Sequence, residues 1–199
     1  MYKPDADSFL LSEAINQKIT GLSKQNPEIK FLEIGCGSGI QLDTALDSSI
    51  KKENIYGVDI NAKDVKHCRK KGFNVIKSDL FSEINSLRYW PKKFDLIVFN
   101  PPYLPFDKEK DSLEPKDSQL ETTGGIQGSE IINKFLREAK SYLNENGKIF
   151  LLTSSLTREI EWEGWKKKKI AEKKLFFEKL WVWEVWKSNK DTLISTIFK

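Results

Sequence analysis

The chain has 199 residues, which predicts a single domain over residues 1–199 with a hydrophobic core of its own. Its 33 basic and 29 acidic residues leave a net charge of +4, a surplus too small to indicate a nucleic-acid partner by itself. No apolar run reaches transmembrane length and the first residues lack a signal-peptide pattern, so the sequence argues against membrane and secreted proteins and predicts a cytoplasmic one.

Helices and short strands alternate along the first three quarters of the chain. Apolar residues at helical spacing between Phe9 and Leu22 predict an N-terminal helix within residues 1–25, with Asp7 or Ser8 as its cap. Short apolar runs predict strands at 29–34, 55–60, 73–76, 94–99 and 148–153. Helices are predicted between them at 40–46, at 62–72 after an Asn61 cap, and after a Ser129 cap. This alternation predicts the α/β class with a doubly wound, mostly parallel sheet.

The C-terminal quarter departs from this alternation. Residues 170–177 and 180–186 are predicted to form two strands joined by a very short connection, which makes them an antiparallel pair. These two strands bring the predicted sheet to seven. A short helix is predicted within 157–165, and residues 188–199 are predicted to form a C-terminal tail.

The tetrapeptide Asn100-Pro101-Pro102-Tyr103 directly follows the fourth predicted strand. An Asn at the end of a buried parallel strand lies on the rim where open α/β sheets bind ligands. The two prolines lack N–H donors and fix φ, so the Asn100 amide oxygen and the Pro101 carbonyl form a rigid acceptor cluster beside the Tyr103 ring. Such a cluster fits a planar NH2 group, because the acceptors take its two hydrogens and the ring faces its plane.

A glycine-rich turn, Glu33-x-Gly35-x-Gly37-x-Gly39, follows the first predicted strand. Its spacing differs from the dinucleotide fingerprint G-x-G-x-x-G, and no lysine follows it as in a P-loop. A carboxylate directly before the first glycine would repel phosphate and would attract a sulfonium or an amino group. Taken alone, the turn is more simply a tight connection from strand to helix.

Asp59 and Asp79 end the second and third predicted strands. Asp59 is placed to accept hydrogen bonds from both hydroxyls of a ribose, and Asp79 from an adenine amine with Leu80 beside the ring. Either aspartate alone is more simply a helix cap or a solvated turn. Because three carboxylates and the acceptor cluster end four consecutive strands, the set as a whole predicts a site for S-adenosylmethionine.

The motif series resembles that of class I S-adenosylmethionine-dependent methyltransferases. Four segments carry this resemblance: residues 31–39, the terminal Asp59, Ser78-Asp79-Leu80-Phe81 and Asn100-Pro101-Pro102-Tyr103. Three more resemble the HemK-related release-factor glutamine methyltransferases of archaea and eukaryotes: Tyr2-x-Pro4-x-x-Asp7-Ser8-x-Leu10-Leu11, Gly124-Gly125-x-x-Gly128 and Lys174-Leu175-Phe176-Phe177. The resemblance covers residues 2 to about 187. It implies a Rossmann-like fold and methyl transfer from S-adenosylmethionine to the side-chain amide of a glutamine in the GGQ motif of a peptide-chain release factor.

The resemblance also implies roles for individual residues. It implies that segment 1–25 closes over the cofactor site. The residues implied to bind the cofactor are Ser8, Glu33, Gly35, Gly37, Asp59, Asp79, Leu80 and Asn100. For the substrate amide it implies Asn100, Pro101, Pro102 and Tyr103, with catalytic roles for Asn100, Pro101 and Tyr103. Two residues depart from the family pattern, because Ala6 and Thr123 stand where acidic residues are usual. Both departures bear on substrate docking.

An adenine N6-methyltransferase acting on DNA or RNA is the alternative, because its target amine is also planar and conjugated. Such an enzyme needs a basic platform for the nucleic acid, and the chain offers only lysines 166–169 with Lys173 and Lys174. A charge run of this kind is typical of a solvated edge, which favours the glutamine interpretation. A non-catalytic module that binds the cofactor is a further alternative, against which the intact acceptor cluster argues. No metal site is predicted, because the one histidine, His67, lies in a basic helix.

The family resemblance also implies a partner, a small zinc-binding activator that forms a heterodimer by covering a hydrophobic strand. Residues 73–76 and Tyr89-Trp90 are candidate apolar contacts for it, although core packing explains them equally well. A nucleic acid is a less favoured partner than the release factor, and no membrane contact is predicted. The two cysteines, Cys36 and Cys68, fall in different predicted elements, which favours a reducing, intracellular setting.

Overall fold

The computed structural model describes residues 4–106 and 123–188. Its helices are Ala6–Gln25 (α1), Ile40–Asp47 (α2), Ala62–Lys70 (α3) and Glu130–Tyr142 (α4), with short 3-10 helices at Lys52–Asn54 and Ile84–Ser86. Its strands are Phe31–Ile34 (β1), Ile55–Asp59 (β2), Asn74–Lys77 (β3), Phe94–Phe99 (β4), Leu143–Ser154 (β5), Trp165–Lys174 (β6) and Lys179–Lys187 (β7). Tyr2 of the N-terminal motif and nearly all of the predicted tail lie outside the described residues.

The seven strands form one sheet in the order β3-β2-β1-β4-β5-β7-β6. Strands β1 to β5 run parallel to one another, whereas β7 is antiparallel to both β5 and β6. This confirms the predicted α/β class, the mostly parallel sheet and the antiparallel C-terminal pair. The carboxyl ends of β1 to β5 therefore lie at one edge of the sheet, called here the carboxyl edge, and the opposite edge is called the amino edge.

Both faces of the central strands are buried, as expected for a doubly wound sheet. On one face, α1, α2 and α3 pack onto a cluster that includes Leu11, Leu42 and Val65. On the other face, α4 contributes Phe135 and Leu136 to a second cluster. A polar side chain inside these strands therefore has to find hydrogen-bond partners within the protein, which applies to Glu33 in β1.

The first helix begins at Ala6, because the Asp5 carboxylate caps it by accepting a hydrogen bond from the Ala6 N–H at 2.7 Å. The prediction that Asp7 or Ser8 caps this helix is wrong. Both residues lie in its first turn and are buried. Their side chains are therefore directed at the protein interior, with consequences for the site described below.

The fifth strand begins at Leu143, directly after α4, and not at 148 as predicted. Leu143 pairs with Phe94 at the start of β4, and a register shift between Phe94 and Leu96 takes up the additional residues. The polar residues around this bulge do not form an apolar run, so the beginning of the strand could not be predicted from the sequence.

The prediction of a helix within 157–165 is wrong, because residues 157–164 are irregular and Trp165 begins β6. The Asn133 side chain of α4 holds it in place: Nδ2 donates to the Glu159 carbonyl at 3.0 Å, and Oδ1 accepts from the Glu161 N–H at 2.9 Å. Glu159 also has a φ of 55°, which a right-handed helix does not allow. Separately, no helix in the described ranges is long and apolar enough to cross a membrane.

Candidate active site

A cavity of about 460 Å³ opens at the carboxyl edge of the sheet. Each site residue predicted from the sequence lines it: Ser8, Glu33, Gly35, Gly37, Asp59, Asp79, Leu80, Asn100, Pro101, Pro102 and Tyr103. The volume lies within the range of small-molecule sites. The structure therefore brings residues from the first helix and from the ends of four strands into one cavity, while their individual roles remain a prediction.

The side-chain amide of Asn100 is oriented by the first turn of α1. Its Nδ2 donates a hydrogen bond to the Asp7 carboxylate at 3.1 Å and has a longer contact of 3.4 Å with Ser8 Oγ. A carboxylate accepts only, so it selects the NH2 end of the amide. Among the described residues, the buried Oδ1 atom of Asn100 finds no hydrogen-bond donor. An unsatisfied buried acceptor is costly, and an N–H group of a bound molecule would satisfy it.

The first turn of α1 is itself held against α2. Gln41 Nε2 donates to the Ser8 carbonyl at 3.0 Å, and Gln41 Oε1 accepts from Ser12 Oγ at 3.0 Å. Gln41 is buried and lines the cavity. These two hydrogen bonds fix the helix that carries Asp7 and Ser8 beside Asn100. The first turn of this helix therefore forms one wall of the cavity.

The segment that follows Asn100 rests on a glycine turn. The Gly124 N–H donates to the Leu104 carbonyl at 2.9 Å, and the Phe106 N–H donates to the Gly125 carbonyl at 2.8 Å. Gly128 has a φ of 79°, and a Cβ atom at this position would lie 2.4 Å from the Tyr103 carbonyl oxygen. Only glycine allows this close approach of the two backbones, so the turn determines where the acceptor segment lies.

Glu33 lies beneath the glycine-rich turn after β1. It is 3% exposed, and its Oε2 accepts a hydrogen bond from the Leu42 N–H in the first turn of α2 at 3.1 Å. Burial raises the pKa of Glu33 well above its ordinary value, and the nearby Cys68 and Asp59 side chains add to this. Burial disfavours the ionised form of Glu33, and a bound cation would stabilise that form.

Asp59 at the end of β2 joins two loops at the cavity. Its two carboxylate oxygens accept hydrogen bonds from the Gly37 N–H and the Asn61 N–H, each at 2.8 Å. Burial raises the pKa of Asp59, although these backbone hydrogen bonds oppose the shift. Each oxygen keeps a second lone pair, so the carboxylate can still accept from a ligand's hydroxyl groups.

Asp79 and Leu80 form the wall beyond β3. The Asp79 carboxylate is half exposed and forms an ion pair with Lys134 Nζ at 2.6 Å. Leu80 is buried with a φ of 48°, and its carbonyl accepts from Ser78 Oγ at 2.9 Å. The left-handed backbone conformation of Leu80 is unfavourable for a residue with a side chain. Such strained residues are often found at binding sites. Asp79 thus reaches the cavity rim as predicted, but it already has a partner there.

The charge of the cavity wall separates classes of ligand. Among the described residues that line it, five carry carboxylates and one carries an ammonium group: Asp7, Glu33, Asp59, Asp64 and Asp79, against Lys63. Such a wall attracts a cation and disfavours a pyrophosphate. This excess of carboxylates therefore fits a cofactor with an amino group and a sulfonium better than a dinucleotide.

Two residues of the site were missed by sequence reasoning. Asp7 was predicted as a helix cap and Gln41 was given no role, yet both line the cavity. Asp7 had one signal, since it directly precedes Ser8 in the N-terminal motif. Gln41 had none, because a glutamine in the first turn of a helix is usually exposed.

Comparison with known proteins places the chain among methyltransferases. A protein-family profile described as a methyltransferase domain matches residues 25–195. A Methanocaldococcus jannaschii protein, provisionally named a protein N5-glutamine methyltransferase, is 34% identical over 94% of this chain and 92% of its own length. Methyltransferase HEMK2 of Homo sapiens is 29% identical over 77% of this chain and 71% of its own length.

Solved structures agree with this placement at the level of the fold. A chain of the E. cuniculi Mtq2–Trm112 complex, described as responsible for methylation of the termination factor eRF1, superposes with a TM-score of 0.64 at 24% identity. The superposition covers 94% of this chain and 98% of that chain. With the profile spanning most of the sequence and a relative aligned over nearly its whole length, the chain belongs to the HemK-related family of protein glutamine methyltransferases.

Proposed function

We propose that the protein transfers a methyl group from S-adenosylmethionine to the side-chain amide of a glutamine in the GGQ motif of a peptide-chain release factor. The observation that carries the proposal is the Asn100 amide, whose NH2 end is held by Asp7 while its buried Oδ1 has no donor among the residues that the structure describes. Relatives named as glutamine methyltransferases support this acceptor over an adenine. A role in translation termination would place the enzyme in the cytoplasm, which we propose as its location.

The cofactor residues follow from the cavity. Glu33 and Gly35 would hold the methionine part together with Ser8, and Asp59 would accept from the ribose hydroxyls near Gly37. Asp79 and Leu80 would contact the adenine, which requires Asp79 to share its carboxylate with Lys134. When bound, the cofactor supplies a methyl group on a cationic sulfur. The excess of carboxylates on the cavity wall supports this assignment.

The acceptor residues would act by positioning and charge stabilisation. An amide nitrogen is a weak nucleophile, because its lone pair is delocalised into the carbonyl. Asn100 Oδ1 and the Pro101 carbonyl would accept its two N–H groups, fix its orientation and stabilise the positive charge that develops on it. Pro102 keeps the segment stiff, and Tyr103 would pack on the amide plane and exclude water. No strong general base is required, because the alkylated nitrogen loses its proton readily.

Mass spectrometry tests this function directly. A release factor incubated with the enzyme and deuterated S-adenosylmethionine should gain one labelled methyl group on the GGQ glutamine. Asn100→Ala should lose most of this activity and bind the cofactor with nearly unchanged affinity, because the acceptor is removed and the carboxylates remain. Near-normal turnover by this variant would contradict the assignment.

The adenine alternative is disfavoured by the surroundings of its basic cluster. Lys167 Nζ lies 4.0 Å from the ring centre of Trp162 and 4.6 Å from that of Trp183, and Lys169 forms an ion pair with Glu172. Two of the six lysines of this cluster are thus engaged within the chain, and the cluster lies on β6, the outermost strand on one side of the described sheet. A competition between a release factor and oligonucleotides as methyl acceptors separates the two functions.

A small activator subunit is proposed as a partner, since the Mtq2 relative of known structure is one half of a complex with Trm112. Of the side chains predicted as its contacts, Phe73, Val75 and Ile76 are buried in the chain's own core, whereas Tyr89 is 89% exposed and can serve as a contact. Strand β3 is nevertheless the outermost strand on one side of the described sheet, so its backbone can pair with another strand. Co-expression should raise soluble yield and activity, and a stable, fully active monomer would refute the dependence.

A further inference from the structure

Exposed apolar side chains are distributed unevenly over the described surface. Nine large hydrophobic residues are exposed there, and seven of them lie at the carboxyl edge: Phe9, Ile60, Phe106, Ile126, Leu156, Phe176 and Phe177. The other two, Leu46 and Tyr89, lie toward the amino edge. Apolar residues collected on the side that carries a cavity are typical of an interaction surface.

The most exposed of the seven form a pair at the turn between β6 and β7. Phe176 is 92% exposed and Phe177 is 85% exposed, and their rings meet edge to face with centroids 4.7 Å apart. The turn is an ordered extension of the hairpin, since the Leu175 N–H donates to the Glu178 carbonyl at 2.8 Å. Transfer of two exposed aromatic rings from water onto an apolar surface is favourable, so docking there would stabilise a complex.

A short series of contacts joins this turn to the acceptor segment. Thr157 Oγ1 donates to the Tyr103 carbonyl at 3.1 Å and accepts from the Ser154 N–H at 3.2 Å. Ser154 Oγ in turn donates to the Glu178 carboxylate. The phenylalanine pair is therefore connected to Tyr103 through Thr157, Ser154 and Glu178, so a molecule docked on the pair would be positioned relative to the acceptor site.

The charges around the pair define what it can bind. Lys174 pairs with Lys179 across the base of the turn, and Lys173 precedes them. The one carboxylate of the turn, Glu178, is engaged by Ser154. An apolar partner surface bordered by acidic side chains would complement both the rings and the lysines.

We infer that the β6–β7 turn is a docking site for the folded protein substrate, which binds it through an apolar patch bordered by acidic side chains. The inference rests on the proposed function, because the glutamine has to reach Asn100 while the rest of its protein lies over the carboxyl edge. A nucleic acid could also stack on the rings, but the contacts to Tyr103 relate the turn to the acceptor site. The turn would set the affinity for the substrate protein and leave the chemical step unchanged.

Steady-state methylation of a release factor by the double variant F176S/F177S tests the inference. We expect KM for the release factor to rise about tenfold or more, with kcat at saturation and the affinity for S-adenosylmethionine unchanged. The control is Leu46→Ser, which removes an exposed apolar side chain toward the amino edge and should leave KM unchanged. The thermal unfolding midpoint of each variant verifies that the fold is intact.

Three results would overturn the inference. An unchanged KM in F176S/F177S would do so while leaving the methyltransferase function intact, provided that the unsubstituted enzyme methylates the release factor. A fall in kcat or in cofactor affinity would show that the turn supports the site. Loss of affinity for a ribosomal RNA fragment with an unchanged KM would assign the turn to nucleic acid. Absence of methylation by the unsubstituted enzyme would instead refute the proposed function.

Discussion

The Asp7 carboxylate accepts a hydrogen bond of 3.1 Å from Nδ2 of Asn100, across 93 positions of sequence. Both side chains line the cavity, and Asp7 is 6% exposed. An asparagine amide can rotate to exchange its donor and acceptor ends, and a fixed carboxylate removes that freedom. Asp7 thereby presets the amide oxygen of Asn100 as the acceptor before any ligand arrives.

Asp7→Asn should lower kcat roughly tenfold to a hundredfold, because the Asn100 amide loses the group that selects its orientation. Cofactor affinity should change little, since Glu33 and Asp59 remain. Steady-state kinetics with a cofactor-binding titration separates the two effects. Asp5→Asn makes the same chemical change at the exposed helix cap and serves as the control. Equal activity of the two variants would show that Asp7 does not position Asn100.

Gly128→Ala should destabilise the fold by about 1–3 kcal/mol, because alanine disfavours a positive φ. Its Cβ would also lie 2.4 Å from the Tyr103 carbonyl oxygen, so the acceptor segment has to shift and activity should fall. Urea unfolding and a methylation assay measure the two effects. Gly21→Ala is the control, since nothing lies within 4 Å of its added Cβ in α1. It should stabilise the protein by roughly 0.5–1 kcal/mol and keep full activity.

Glu33→Gln should stabilise the ligand-free protein at neutral pH. Because burial raises the native pKa of Glu33, the native state holds its proton to higher pH than the unfolded chain does. The free energy of unfolding therefore falls as pH rises from the ordinary value of 4.5 through the native pKa. Glutamine removes this loss and can still accept from the Leu42 N–H. Thermal unfolding across this pH range measures the difference, and a lower midpoint for the variant above pH 4.5 would contradict it.

The same substitution should weaken cofactor binding at least about tenfold, because the cation interacts with the ionised carboxylate. In the unsubstituted protein, affinity should increase as pH rises through the elevated pKa of Glu33, and binding should release a proton. Calorimetric titration in two buffers of different ionisation enthalpy detects that proton. Glu13→Gln, on the exposed face of α1, is the control and should leave binding unchanged. Binding without proton release would assign the cation to other carboxylates.

Elements whose sequence is apolar and clearly bounded were the predictable part of the fold. Strand β4 has the predicted bounds, 94–99, since its apolar run ends at Asn100 and two prolines. The start of β5 was not predictable, because a bulge against β4 places polar residues inside the strand. The segment 157–165 was mistaken for a helix because its backbone is held by Asn133, a residue distant in sequence.

The sequence by itself determined most of the order of helices and strands, and it placed Asp59, Asp79 and Asn100 at or just beyond the ends of β2, β3 and β4. Those features depend on local periodicity and on glycines and prolines, which act over a few residues. Only the tertiary structure decided that Asp7 holds Asn100, that Phe73 and Val75 are buried, and that Phe176 lies at the same edge as the cavity. The physical reason is that these relationships depend on how distant segments pack together, and hydrophobic periodicity carries no information about partners far along the chain.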